Sequence, residues 1–527
     1  MLLKILFLVF FFAVMIGVGF YCRRQAANVS GFVLGGRSVG PWLTAFAYGT
    51  SYFSAVIFIG YAGQFGWKFG VASTWIGLGN CVIGSYLAWA ILGRRTRLLT
   101  QKLDSRTMPE FFGQRFSSPA LKVAASVIVF IFLIPYTASL YNGLSRLFAS
   151  SFAIPYEWCV IIMSVLTGIY VIAGGYMATA INDFIQGCIM LVGIVLVIAA
   201  VLNQNGGFLE SVNRLSAIAP PESNAGLNGA FASFFGPEPL ALFGVVILTS
   251  LGTWGLPQMV GKFYAIKSEG DIAKGTLIST LFALVVAGGC YFLGGFGRLY
   301  AGSIEYAANG TPIFDSIVPT MLAKLPDIVV AIVIVLVLSA SMSTLSSLVL
   351  TSSSTLTLDL IVPARERKGD KKVEQKTTML LIRILIVFFI AVSAVIAIFQ
   401  YKSSVTFIAQ LMGISWGALA GAFLAPFLYS LYSKKVTKAA VWVSFACGVG
   451  IMAADMFCNF TGRVFISAYF TSPINAGMLA MVSGLVIVPL VSLFTKKPDQ
   501  AAVNEMFSCY DRTVTVHATT ALGEDEK

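Results

Sequence analysis

About thirteen apolar stretches, most of about 20 residues or more, run through this 527-residue chain, at 2–22, 41–66, 69–93, 121–148, 156–174, 179–203, 237–256, 275–297, 327–357, 379–400, 404–432, 439–458 and 473–495. Twenty apolar residues in a helix cross the roughly 30 Å hydrocarbon core of a bilayer. Within that core every backbone N–H and C=O must be satisfied inside the protein, and a segment of this length does so as a helix. The pattern predicts an all-α, polytopic membrane protein. Composition agrees, since 11% of the residues are charged against about 25% in soluble domains. A soluble enzyme is excluded, because a globule with 57% hydrophobic residues would expose more apolar surface than water tolerates.

The first stretch is apolar enough for a secretion signal, but its basic pair, Arg23 and Arg24, follows it and no small-residue cleavage site appears. It reads as a retained helix with its N-terminus outside. The net charge of +12 then acts as an orientation signal, because cytoplasmic loops are enriched in Lys and Arg. With that topology 26 of the 35 basic residues fall on the cytoplasmic side, 8 fall outside, and Arg383 lies within a span. Lys262 is counted here in a cytoplasmic loop. The C-terminus is expected in the cytoplasm and the chain in the plasma (inner) membrane, with the bilayer and not nucleic acid as its partner. The single histidine, His517, lies in the polar tail, and the eight cysteines show no paired spacing. Asp455 is an intramembrane acid without a surrounding motif.

Four places inside the spans break the apolar pattern. Gly49-Thr50-Ser51, followed by Tyr52-Phe53-Ser54, suits either a helix that unwinds over a buried site or a small-residue packing face. Trp254-Gly255-Leu256-Pro257-Gln258 is either a break that frees carbonyls or the end of its span, since Pro257 lacks an N–H. In Ala340-Ser341-Met342-Ser343-Thr344-Leu345-Ser346-Ser347, residues 343, 346 and 347 share one helix face. Neutral oxygens crowded in this way suit a weakly held hard cation such as Na⁺, although membrane hydroxyls also bond back to their own helix. Asp183, after Asn182, either caps a helix or lines an ion path. Breaks in 41–66 and 237–256, the first helices of two sets of five, are the mark of an inverted-repeat secondary transporter.

At this point the residues resemble a known family. Leu34-Gly35-Gly36-Arg37-Ser38, Gly40-Pro41 and Thr44-Ala45 look like the opening of the sodium:solute symporters. Further matches are Tyr136 with Ala138-Ser139 and Arg146-Leu147-Phe148, then Gly174-Gly175 with Asn182-Asp183 and Gln186, then Gly255-Leu256-Pro257. The strongest is Met342-Ser343-Thr344-Leu345-Ser346, with Asp359 closing the helix. The order is kept from about residue 5 to 495.

The resemblance implies a leucine-transporter-like 5+5 inverted-repeat core. Its parts would be a leading helix and cytoplasmic loop (1–40), a first repeat (41–203), an extracellular loop (204–236) and a second repeat (237–432). Two peripheral helices (433–495) and a cytoplasmic tail (496–527) would follow. It also implies a Na⁺ site of the Thr50, Phe53 and Ala340 carbonyls with the Ser343 and Thr344 hydroxyls. Some members have a second Na⁺ site, whose residues here would be Asp183, Ser343, Ser346 and Ser347, so one or two ions would be coupled per cycle. This convergence favours the ion-path reading of Asp183.

The solute would be small, organic and carboxylate-bearing, proline-like or pantothenate-like, and would enter by alternating access. Candidate contacts are Ser51, Tyr52, Ser54, Tyr136, Tyr141, Thr253, Trp254, Gln258 and Gln410. Proline-transporting members carry an aspartate where this chain has Tyr52, and the Asn182-Asp183 pair and Gly255-Leu256-Pro257 look nearer the pantothenate branch. A proton-coupled symporter using Asp183 and a non-transporting solute sensor are the alternatives. Oligomeric state is not readable from the sequence.

Overall fold

The computed structural model describes residues 2–511, apart from 25, 153, 220–227, 308–309, 368–372 and 404–407. Arg512, His517 and Lys527 of the tail, and Lys368, Lys371 and Lys372, lie outside the described residues. Among those described, the fold is helical throughout, with only two isolated β-bridges.

Among the described residues ten helices are long and apolar enough to cross a bilayer, and eleven when the bent pair Pro239–Trp254 and Pro257–Ala265 counts as one. The two longest are long enough for two crossings. Val56–Lys102 has 47 residues and Tyr156–Gln204 has 49, about 70 Å if straight. Each is divided by a glycine in a conformation foreign to helix interiors: Gly70 (φ 62°, ψ −142°) and Gly175 (φ 55°, ψ −148°). L-residues avoid that region, and a Cβ at Gly70 would stand 2.0 Å from the Phe231 carbonyl oxygen. Dividing both helices at these glycines makes thirteen spans, as the apolar stretches predict.

The helices used below are α1 (Leu2–Tyr21), α2 (Pro41–Tyr52), α3 (Val56–Lys102), α4 (Met108–Arg115), α5 (Pro119–Phe152) and α6 (Tyr156–Gln204). They continue with α7 (Pro239–Leu251), α8 (Pro257–Ala265), α9 (Gly270–Gly294), α10 (Asp327–Thr355) and α11 (Ile408–Tyr432). Helices α10 and α11 form the centre, with 83% and 94% of their most apolar stretches buried. The first helix and the last two spans, Lys438–Phe460 and Pro473–Phe494, have only 22–33% buried and form the rim. Helix α2 packs among α6, α9 and α10.

Both expected breaks exist; the first is displaced by a few residues, and the second falls at Gly255–Leu256 as expected. Gly49 remains helical, and it serves packing: a Cβ there would stand 2.4 Å from the Phe282 ring. The interruption falls at Phe53 (φ −90°, ψ 107°) and Ser54, before the helix resumes. The second broken helix passes from α7 through a 3₁₀ turn, Gly252–Trp254, to Leu256 (φ −85°, ψ 121°). Pro257 does not end this span but opens α8, where a missing N–H costs nothing, and the two halves meet at 40°. The span therefore continues to Ala265, and Lys262 is not in a loop. It is 3% exposed, inside the bundle.

One end of the bundle gathers the basic residues. Arg37 donates to the carbonyls of Ser105 (2.7 Å) and Tyr264 (3.3 Å), and Arg97 to those of Ile266 (3.0 Å) and Lys267 (2.6 Å). Asp359 does not close its helix. The chain passes through a π-helical turn, Leu356–Ile361, and runs on to Arg367. Asp359 is buried there, accepting from the Thr107 hydroxyl (2.5 Å) and paired with Lys122 (3.2 Å).

Candidate functional site

The first break exposes backbone because Ser54 reorganises the turn. The Val56 N–H bonds the Ser54 hydroxyl (3.2 Å), and the Ile57 and Phe58 N–H groups both bond the Ser54 carbonyl (3.0 Å). The Tyr52 and Phe53 carbonyls lose their usual helical donors by this shift. One turn earlier, the Thr50 carbonyl accepts from two hydroxyls of α10, Ser343 Oγ (3.1 Å) and Thr344 Oγ1 (3.0 Å). The same hydroxyls also reach the Ala340 carbonyl, at 3.2 and 3.1 Å. Four of the five oxygens expected around Na⁺ therefore meet in one place, all buried and all neutral. Phe53 stands at the break three residues along the chain, and among the described residues no hydrogen bond joins its carbonyl to the group. Two carbonyls and two hydroxyls suit a weakly held hard cation, which prefers oxygen ligands. Thr50's own hydroxyl bonds back to Phe46 (2.9 Å) and leaves its carbonyl to the α10 hydroxyls.

On the other side of the break lies an aromatic group. The Tyr52 ring stacks on Trp416 of α11, with centroids 5.5 Å apart, and Tyr136 of α5 meets Trp416 edge-on at 6.0 Å. The Tyr52 hydroxyl donates to the Thr249 carbonyl (2.6 Å) at the end of α7, so the two broken spans are joined directly. The Tyr136 hydroxyl and Trp416 Nε1, both buried, have no hydrogen-bond partner in good geometry, and Tyr136 faces Ser54. Gln258, on the first turn of α8, is 2% exposed, and neither amide atom is bonded. Thr253 and Trp254 are committed to α3, bonding the Gly84 (3.1 Å) and Ile83 (3.0 Å) carbonyls. Tyr141 turns toward Ser164 and Gln410 is half-buried at the start of α11; neither joins the aromatic group.

Asp183 has a partner that the sequence did not suggest. Lys262 Nζ lies 3.7 Å from its Oδ2 and donates to Ser347 Oγ (3.0 Å). Ser347 in turn shares a hydrogen bond with Ser51 (2.7 Å). Ser51 therefore joins this ion-pair network and not the aromatic group. Ser346 bonds the Ser343 carbonyl (2.9 Å). Asn182 and Gln186 face α1, reaching the Met15 carbonyl (3.3 Å) and sulfur (3.2 Å). A narrow crevice of about 50 Å³, bounded by Arg106, Gln258, Lys262, Ser347 and Thr351, leads from the basic end to this network.

Trp416 and Lys262 are the residues that sequence reasoning missed. A tryptophan flanked by Gly413 and Gly417 was the available signal for the first. For the second it was a lysine five residues after Pro257, which could open a half-helix.

Two interrupted helices facing each other, with neutral oxygens gathered at one break, define a secondary transporter of the leucine-transporter-like fold. Residues 32–448 match the sodium:solute symporter family, and the chain belongs to that family. It is 28% identical over 495 residues to the osmoregulated proline transporter OpuE of Bacillus subtilis (strain 168), covering 93% of this chain and 95% of that one. It is 29% identical over 437 residues to a sodium/proline symporter of Staphylococcus aureus (strain JH9), covering 81% of each. The fold is shared with a Na⁺-coupled sialic acid symporter solved in a substrate-bound outward-open state, at a TM-score of 0.71 and 16% identity over 94% of this chain and 99% of that one. The protein is thus a membrane-embedded transporter and not an enzyme, with sodium as its coupling ion.

Proposed function

We propose that the protein imports a small carboxylate-bearing solute together with Na⁺ by alternating access, an amino acid such as proline being the first candidate and a pantothenate-like acid the second. The observation that carries this reading is the double use of one break. Thr50 offers its carbonyl to Ser343 and Thr344, and Tyr52, two residues on, offers its ring to Trp416 and its hydroxyl to Thr249. An ion drawing on the Thr50 carbonyl would hold the chain that carries Tyr52. The solute's carboxylate would draw on the donors of Tyr136 and Trp416, which face each other without a well-aligned hydrogen bond, and an ammonium group would lie over the aromatic faces. Ser54 and Gln258 would complete the walls. The names of the two proline-transporting relatives support the solute class; Tyr52 in place of the aspartate argues for testing other carboxylates beside proline.

In this reading repeats 41–203 and 237–432 rock against each other, and the basic end faces the cytoplasm of a plasma-membrane protein. The N-terminus is then outside. Purified protein in liposomes tests it: labelled proline and a panel of carboxylates are offered with an inward Na⁺ gradient, with a proton gradient, and with neither. Accumulation that requires the Na⁺ gradient supports the proposal. Accumulation driven equally well by protons with no Na⁺ would replace it with the proton-coupled alternative.

A further inference from the structure

Lys262 carries its charge to a place where the resemblance would put a second sodium ion. Asp183 is fully buried, and neither of its carboxylate oxygens accepts a hydrogen bond. To stay ionised at that depth a carboxylate requires a cation close by. Among the described residues the basic group paired with it is Lys262, at 3.7 Å. The ammonium also lies 3.0 Å from Ser347 Oγ and 5.3 Å from the centre of the Tyr176 ring. It therefore pairs by charge with Asp183 and hydrogen-bonds Ser347, two of the four residues expected to hold the second ion. The other two are engaged elsewhere: Ser343 bonds the Thr50 and Ala340 carbonyls, and Ser346 bonds the Ser343 carbonyl.

We propose that the Lys262 ammonium is a tethered substitute for a second coupling cation, so that the transporter binds and carries a single Na⁺. The inference rests on the Na⁺ site proposed at Thr50, Ala340, Ser343 and Thr344. An ammonium has three donors and no lone pair, so it ligates no metal ion, and a sodium ion beside it would meet like charge in a poorly screened interior. One carboxylate and one ammonium already balance. Ser51, on the broken helix, is bonded to Ser347, so the tethered charge touches the same segment that holds the first ion. A narrow crevice lined by Arg106 and Ser347 lies beside Lys262.

The test is equilibrium binding of ²²Na⁺ to the purified full-length protein, which needs no knowledge of the solute. One ion per protein is expected for the parent, and that ion should be lost in Ser343→Ala/Thr344→Ala. Lys262→Met leaves the Asp183 carboxylate uncompensated and is expected to bind two ions. The second should vanish in Lys262→Met/Asp183→Asn, where both charges are removed together. Two ions on the parent, or one ion on a folded Lys262→Met protein, would overturn the inference while leaving the first site intact. No ion on the parent would instead overturn the Na⁺ site itself. If Lys262→Met does not fold, the count on the parent still decides.

Discussion

Replacing Thr344 by valine removes one oxygen from the proposed Na⁺ site and almost nothing else. The side chain is fully buried, and its hydroxyl lies 3.0 Å from the Thr50 carbonyl and 3.1 Å from that of Ala340. Valine keeps the branched shape, so no cavity opens. The Ser343 hydroxyl, with one proton to give, can still serve the Thr50 carbonyl, and the Ala340 carbonyl lies inside α10 among its helical N–H partners, so neither is left unpaired in the absence of ion. The cost therefore falls mainly on the ion-bound state. Contacts between a polar group and a charge contribute about 1.5–3 kcal/mol, which corresponds to a roughly 10- to 150-fold weaker affinity for Na⁺. Thr344→Ser keeps the hydroxyl and should stay near the parent. Thermal stabilisation of the purified protein as Na⁺ is titrated measures this without any solute, because a ligand that binds only the native state raises its melting temperature. If the valine variant responded to the same Na⁺ concentrations as the parent, the assignment of Thr344 as an ion ligand would be wrong.

Three further outcomes follow from other parts of the molecule. Trp416→Phe keeps an aromatic face for Tyr52 but removes Nε1, and it should weaken solute binding by about tenfold or more, the worth of a hydrogen bond to a charged group; an unchanged solute affinity, read from competition binding, would remove Trp416 from the site. Gly175→Ala forces a side chain into a positive-φ turn with a Cβ 2.8 Å from the Phe32 ring, so it should lower thermal stability by at least about 1–3 kcal/mol, and equal melting temperatures would contradict the turn. Glu110 lies on α4, outside the spans; burial works to raise its carboxyl pKa, but hydrogen bonds and charge from Arg106, with Lys122, hold it below the ordinary value. A depressed folded-state pKa contributes stability that is present above the unfolded value of about 4.3 and is lost as pH falls through the lower folded value. The parent should therefore lose melting temperature on acidification below about pH 4.3, and Glu110→Gln should lose less over the same range.

The architecture was legible because a bilayer imposes one length and one backbone solution on every crossing, and these survive in hydropathy. The hydroxyls of 343 and 344 were legible for a related reason: polar side chains are scarce in these spans, so a cluster stands out. The exact position of the first break was not. Gly49 carries the sequence signature of a weak helix, yet the Phe282 ring fills the space beside it, while the interruption is fixed by Ser54 bonding the N–H groups that follow it. Local sequence does not reveal which of two neighbouring positions tertiary packing will choose. Lys262 was misread because Pro257 resembles the end of a span, and a lysine after an ended span belongs in a loop. Only the 40° continuation into α8 brings it to Asp183. For Trp416 the flanking Gly413 and Gly417 were the only signal, and a weak one, since a large aromatic in an apolar helix is ordinarily core.

The central claim is that ion and solute share one broken segment and therefore bind cooperatively. The most direct measurement is the Na⁺ affinity of the purified protein with and without saturating solute, paired with the solute affinity with and without Na⁺, using proline or whichever carboxylate the liposome panel identifies. Coupling free energy is reciprocal, so each ligand should tighten the other by the same factor, and Thr344→Val should weaken Na⁺ binding in both members of the pair. Affinities for Na⁺ that are identical with and without a transported solute would contradict the account.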